Sequence, residues 1–242
     1  MATTVGPGYD SQVYPGVGVV PHREREPEYS YAGLVVGGDR AATTRELTAL
    51  GFSGWVGPDE AGWVVLVCRR LTGAVTAKGH DITALGAHLA RVTGGPVIAA
   101  NIKRDRLLTF TAWCSGEQVG HYLSNPAFGA DEDDDEFVDP EPEGVEYAGA
   151  IAAAFGKADE HEELAEILGE ILDEEEQTES ERLWAVLRLL GMPSWLVASA
   201  ALPKDVLGGP AKKDVLLLFR GRPGRLARIA AWLTGRQRRR RR

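Results

Sequence analysis

Short apolar runs separated by turn residues are the feature that most constrains how this chain can fold. Four of them are rich in β-branched and aromatic residues and have the length of strands. They lie at residues 31–36, 63–68, 97–102 and 107–114. Gly, Pro and Asp residues separate them, and residues 57–61 are predicted to be the loop of a hairpin. Helical patterns over 40–52 and 81–92 begin at the capping residues Asp39 and Asp81. We therefore predict an α+β fold with packed helices on a mostly antiparallel or mixed sheet.

The second half of the chain is predicted to be mainly helical. Helices are expected over 145–156, 159–176 and 179–193, and a late strand over 213–221. Thr178 and Glu181 have the spacing of a capping box at the start of the third helix. The predicted organisation is a flexible leader (1–30), a sheet region (31–128), an acidic loop (129–144), a helical region of the same fold unit (145–235) and an arginine tail (236–242).

The apolar runs and the leader indicate where in the cell the protein is located. A membrane-spanning helix needs about 20 apolar residues, and the longest runs here are far shorter. The leader has neither a basic start nor the apolar core of a signal peptide. We predict a cytoplasmic protein, with peripheral attachment to a membrane surface left open.

Charge is segregated along the chain, although the net charge is only -8. Most acidic residues fall between Asp131 and Glu181, whereas the chain after Pro203 is strongly basic. Each patch acts locally, because the screening length at physiological salt is about 8 Å. Such oppositely charged segments bind each other or bind different partners.

Cys114 and His121 lie in one predicted hairpin and raise the question of nucleophilic chemistry. With the turn centred on Gly116–Glu117, both side chains fall on the apolar face, and Glu117 lies at the tip. A cysteine nucleophile needs a base and usually a third group that orients the base, and no such third group is visible. We predict a core histidine beside a structural thiol, with Cys68 also buried and reduced. A hydrolase that uses Cys114 and His121 is the alternative.

No motif for a metal or cofactor stands out. The five histidines are scattered, and neither cysteine belongs to a Cys-x-x-Cys pair. The glycine-rich stretches at 35–40 and 91–96 match neither the dinucleotide fingerprint nor the P-loop. We predict no cofactor, no metal ligand and no catalytic residue.

Residues 105–200 place an apolar and aromatic strand, a Gly-Glu turn, a second strand, an acidic loop and helices in that order. The strands and loop read LLTFTAWCSGEQVGHYLSNPAFGADEDDDE, and the helices include AIAAAFG and RLWAVLRLLGMPSWLV. This order resembles an uncharacterised family of bacterial proteins, except that Asn125 stands where a cysteine is expected. The resemblance implies a shared fold unit and supplies no catalytic residue.

The basic segment over residues 223–242 is the most informative functional feature. A helix over 223–235 would place Leu226, Ile229, Ala230 and Leu233 on one side, with arginines and a tryptophan on its flank. The predicted interaction residues are Arg225, Arg228, Trp232, Arg236, Arg238, Arg239, Arg240, Arg241 and Arg242.

Several partners fit this segment. Its apolar stripe can dock on the sheet, and its arginines can contact the acidic loop of the same molecule. Arginines near an anionic membrane contribute about 1 kcal/mol each, and arginines also displace counterions from nucleic-acid phosphates. We predict a non-catalytic protein-interaction module with an acidic surface and a basic arm, and keep membrane or nucleic-acid association as the alternative.

Overall fold

In the computed structural model, residues 29–128, 141–172, 177–202, 204–206 and 208–224 are described. They form an α+β fold, as the sequence predicts, with one sheet of eight antiparallel strands. The predicted leader up to residue 28, most of the predicted acidic loop (129–140) and the chain after residue 224 lie outside the described residues.

The secondary structure follows the chain in this order. The strands are β1 Tyr31–Gly37, β2 Gly54–Glu60, β3 Trp63–Cys68, β4 Val97–Lys103, β5 Leu107–Cys114, β6 Glu117–Leu123, β7 Leu216–Phe219 and β8 Arg222–Pro223. The helices are α1 Arg40–Leu50, α2 Ile82–Thr93, α3 Ala148–Ala154, α4 His161–Gly169 and α5 Glu179–Leu189. Three 3-10 helices span Val145–Tyr147, Ala158–Glu160 and Ser194–Ala201.

Strand β1 lies in the middle of the sheet, whose order is β6-β5-β4-β1-β3-β2-β7-β8. All seven of its residues are buried. Leu34 and Val36 belong to a core with α1 and α2, whereas Tyr31 and Val35 belong to a second core with α3, α4 and α5. Because both faces of the sheet are covered, β1 is a continuous apolar run and shows no alternation of apolar and polar residues.

Local sequence signals set the starts of α1 and α2 where they were predicted, whereas α1 ends at Leu50, two residues before its predicted end. The side chains of Asp39 and Asp81 accept hydrogen bonds from the main-chain N–H groups at the starts of α1 and α2. Gly51 and Gly94 end the same helices in the left-handed conformation, which glycine adopts without a steric penalty. The predicted capping box of α5 is also confirmed.

Two predicted boundaries are wrong for identifiable reasons. The loop predicted at 57–61 is mostly strand, since β2 continues to Glu60 and the turn is formed by Ala61 and Gly62, both with positive φ. Pro58 is tolerated there because the pairing of β2 with β3 is interrupted between Val56 and Asp59. The predicted long acidic helix is shorter, because α4 ends at Gly169.

The late strand has a partner that was not predicted. Strand β7 pairs with β2, and β8 returns along β7, with Leu218 opposite Pro223. Pro223 was expected to begin a helix, but it belongs to this last hairpin, and its fixed φ and missing N–H suit an edge strand.

Close contact between the sheet and the helical layer leads to a stability prediction at Gly33 of β1. A Cβ atom there would lie 2.3 Å from Cδ1 of Leu196 and 2.5 Å from the carbonyl oxygen of Leu66. Gly33→Ala should lower the free energy of unfolding in urea by about 1–3 kcal/mol, as overpacking does.

Gly149→Ala, in α3, is the matched control. A Cβ atom there meets nothing within 4 Å. This helical glycine should tolerate alanine or gain up to about 1 kcal/mol. Equal effects of the two substitutions would contradict the close packing of Gly33.

Candidate functional site

The structure does not bring Cys114 and His121 together. The hairpin turn is formed by Ser115 and Gly116, and Cys114 pairs with Glu117. A bulge shifts the register beyond Trp113, so that His121 pairs with Thr111, three residues along β5 from the cysteine. At roughly 3.3 Å per residue, that offset corresponds to about 10 Å. A direct nucleophile–base contact between the two residues is therefore not formed.

The predicted burial of these residues is also wrong. The predicted register placed His121 opposite Ala112, and a slip by one residue moves a side chain to the other face. His121 is exposed, and the centroid of its ring lies 5.0 Å from that of Tyr147. Tyr122 is buried in its place. Cys114 is half-buried.

The other cysteine behaves as predicted. Cys68 is buried, and burial raises the pKa of its thiol to about 12. Both cysteines are free. A thiol with so high a pKa is inert as a nucleophile near neutral pH.

A cluster of polar and charged side chains, all buried except the half-buried Asp105, joins the sheet to α5 and was missed by the sequence reading. We call it the buried charge network. Its members are Tyr31, Asp105, Tyr122, Glu179, Ser180 and Arg182. A signal was present in the sequence. Glu179, Arg182 and Val186 are spaced by three and then four residues, which places two charged side chains on the apolar, buried side of α5.

Arg182 is the centre of the buried charge network. Its guanidinium donates to the hydroxyl of Tyr122 and to the main-chain oxygens of Leu168, at 3.1 Å, and of Glu170. These carbonyls lie at the end of α4, where helical carbonyls lack partners and a cation is favourable. Nε of Arg182 and Oε2 of Glu179 lie 3.3 Å apart as an ion pair.

Asp105 forms the other end of the buried charge network. It lies in the β4–β5 turn with a φ of +58°, a conformation that aspartate adopts more readily than most residues. Its Oδ1 accepts a hydrogen bond from N of Ser180 at 2.8 Å, and its main-chain oxygen accepts one from N of Glu179 at 3.2 Å. The hydroxyls of Ser180 and Tyr31 are 3.0 Å apart. The turn is thereby fixed to the first residues of α5.

Burial dominates the electrostatics of the network. It raises the pKa of Glu179, although the nearby Arg182 guanidinium opposes the shift. Burial likewise raises the pKa of Asp105, against the opposing hydrogen bonds from Ser180. Glu179 and Arg182 are each only 5% exposed, so a substrate has no open approach to them. The arrangement fixes the helical layer on the sheet, which is a structural role.

Exposed carboxylates lie on α4 and on the 3-10 helices and loop residues beside it. We call this the acidic surface. It consists of Glu143, Glu146, Asp159, Glu162, Glu163, Glu166 and Glu170. Leu164 and Leu168 of α4 are buried beneath it, as expected of the apolar side of an amphipathic helix, whereas Ile171, which follows the helix, is 64% exposed. Like charges on a solvated face favour a cationic partner.

The residues predicted to make contacts with partners cannot be placed, since all of them follow residue 224. They are Arg225, Arg228, Trp232, Arg236 and Arg238 to Arg242, outside the described residues.

Two further observations concern metals and membranes. The described part of the chain has no group of three or more His, Cys, Asp or Glu side chains that could share a metal ion. Over the same residues, no helix combines the length and the apolar character needed to cross a bilayer.

No protein-family model, curated protein or solved structure matches this chain. The resemblance of residues 105–200 to a bacterial family therefore stays a prediction.

Removing the central cation should destabilise the protein strongly. Arg182→Met leaves Glu179 buried without its cation and frees the Tyr122 hydroxyl and the α4 carbonyls. We expect a loss of about 3 kcal/mol or more in the free energy of unfolding, measured with urea. Arg188→Met, on the exposed side of the same helix, should cost less than about 1 kcal/mol. Similar losses in both variants would argue against a buried role for Arg182.

The raised pKa of Glu179 predicts how stability depends on pH. A carboxyl whose pKa is higher in the folded state binds its proton more tightly there than in the unfolded chain. Its contribution is fully present below the ordinary pKa of 4.5 and is lost as the pH rises through the raised value. From neutral pH towards pH 4.5, this group should therefore increase the free energy of unfolding.

Glu179→Gln should flatten this part of the pH profile, and the exposed Glu166→Gln should leave it unchanged. Urea unfolding at several pH values measures the slope. An unaltered slope in Glu179→Gln would refute the raised pKa.

Proposed function

We propose that the protein acts without catalysis, through protein contacts made by its acidic surface and its basic arm, residues 225–242. The observation that carries the proposal is the separation of charge. The acidic surface lies on the helices near β6, whereas the basic arm follows β8 at the opposite edge of the sheet. The arm contains eight arginines and no acidic residue.

The distance between the edges supports contacts with other molecules. Seven strand spacings of about 4.8 Å separate β6 from β8 by roughly 34 Å. That distance is several times the screening length of about 8 Å, so the acidic surface exerts little electrostatic force at the edge of the sheet where β8 lies. A partner with a basic patch fits the acidic surface, and a partner with an acidic patch, including a second copy of this chain, fits the arm.

Association with an anionic membrane or with nucleic acid is the second candidate. The absence of acidic residues from the arm favours it, because phosphates of either source attract an uninterrupted run of arginines. The net charge of -8 opposes it at longer range.

Deletion of residues 225–242 tests the proposal. We expect the intact chain to self-associate in low salt in sedimentation experiments, and the deletion to lose this association. Deletion of residues 1–18, the same number of residues, is a control that keeps the arm. Glu162→Lys combined with Glu166→Lys should weaken association as the arm deletion does, since it reverses charge on the acidic surface. Unchanged association in the arm deletion would exclude this role of the arm.

The same proteins separate the second candidate. Flotation with vesicles of phosphatidylcholine and phosphatidylserine, and a mobility shift with random-sequence duplex DNA, measure binding to phosphates. Arm-dependent binding to either, without self-association or protein binding, would favour the second candidate.

A further inference from the structure

A cleft of about 940 Å³ lies between α1 and the segment that leads into β7. Apolar side chains in it include Pro58, Val215 and Leu216. Asp59 and Asp214 also line it, and neither belongs to the buried charge network or to the acidic surface. The cleft is therefore a separate feature of the molecule, with an apolar part and carboxylates beside it.

The described chain ends beside this cleft. Leu218 of β7 pairs with Pro223 of β8, and the antiparallel direction carries the chain back towards Leu216, which lines the cleft. The β7–β8 turn is itself fixed against the end of α1, because N of Gly221 donates to the main-chain oxygen of Phe52 at 2.8 Å. The residues that follow Gly224 consequently start next to the cleft.

The next residues have the composition that the cleft requires. In the predicted helix, Leu226, Ile229 and Leu233 form the apolar stripe, with Arg225 and Arg228 on its flank. Residues 225–235 would form a helix of about 16 Å, the same length as α1, since both have eleven residues. A stripe with flanking arginines complements an apolar floor with flanking carboxylates.

Cations also line the cleft, so charge alone does not select the occupant. They are Arg40, Arg45 and Lys213. Nη2 of Arg40 donates to the main-chain oxygen of Asp214 at 2.8 Å, which holds this guanidinium against the wall. The fit of the arm therefore depends first on its apolar stripe and second on the carboxylates.

We propose that residues 225–235 dock in this cleft of the same molecule. The stripe packs on Val215 and Leu216, and the arginine run from Arg236 onward remains available to a partner. This deepens the proposed function by dividing the arm into a docked part and a free part. Docking also makes the apolar stripe unavailable for membrane binding, because a docked stripe cannot enter a lipid surface.

Disulfide trapping in the full chain tests the docking. The background carries Cys114→Ser and keeps the buried Cys68. Thr44→Cys places a thiol in the cleft wall, and Ile229→Cys places one in the stripe. Under mild oxidation this pair should form an intramolecular disulfide, seen as a monomer that migrates faster without reductant. Glu163→Cys with Ile229→Cys, which probes the acidic surface, should react at least about 10-fold more slowly, because docking raises the local concentration of one pair only.

Interrupting the stripe gives a second measurement. Leu233→Asp should slow formation of the disulfide between the cysteines introduced at positions 44 and 229 about 10-fold, because apolar contact is lost. Ala231→Asp lies off the stripe and introduces the same charge, so it should change this rate little. Equal slowing by both would overturn the proposal.

Covalent dimers alone would assign the cleft to a second copy, and faster trapping at Glu163→Cys would assign the arm to the acidic surface; either result overturns docking in the cleft. Loss of self-association in the arm deletion is a separate result, so the proposed function fails or survives independently of this one.

Discussion

The contact of Arg182 with the end of α4 is the interaction on which the arrangement of the helical layer depends. One guanidinium binds two main-chain carbonyls of a neighbouring helix and the hydroxyl of Tyr122 on β6. Arg182 belongs to α5, and through Glu179 and Ser180 this helix is attached to the β4–β5 turn and to the central strand β1. Apolar packing alone does not specify the direction of a helix on a sheet. These hydrogen bonds do, because they form only when α5 lies in one orientation and at one position on the sheet.

Buried ions of this kind are not an efficient source of stability. The desolvation of a carboxylate and a guanidinium offsets most of their attraction, and an apolar replacement of the whole set can be as stable. What the set provides is a defined position, since an alternative packing would leave a charge without a partner. The raised pKa values of Glu179 and Asp105 reflect the same desolvation cost.

The fold was predictable from the sequence where its causes are local. The apolar run of β1, the caps at Asp39 and Asp81 and the capping box of α5 each depend on residues a few positions apart. The register of β6 was not predictable, because a bulge after Ala112 has no local signature. The buried charge network was missed because its bonds join residues 75 and 149 positions apart, such as Asp105 and Tyr31 with Ser180.

The position of β7 has a consequence for synthesis of the chain on the ribosome. Strands β1 to β6 emerge early, but the outer side of β2 has no partner until residues 216–219 have been made. An unpaired strand edge invites pairing with other nascent chains. The bulge and Pro58 interrupt the regular strand after Val56, so only a short stretch of this edge is available for pairing with another chain until β7 has been made.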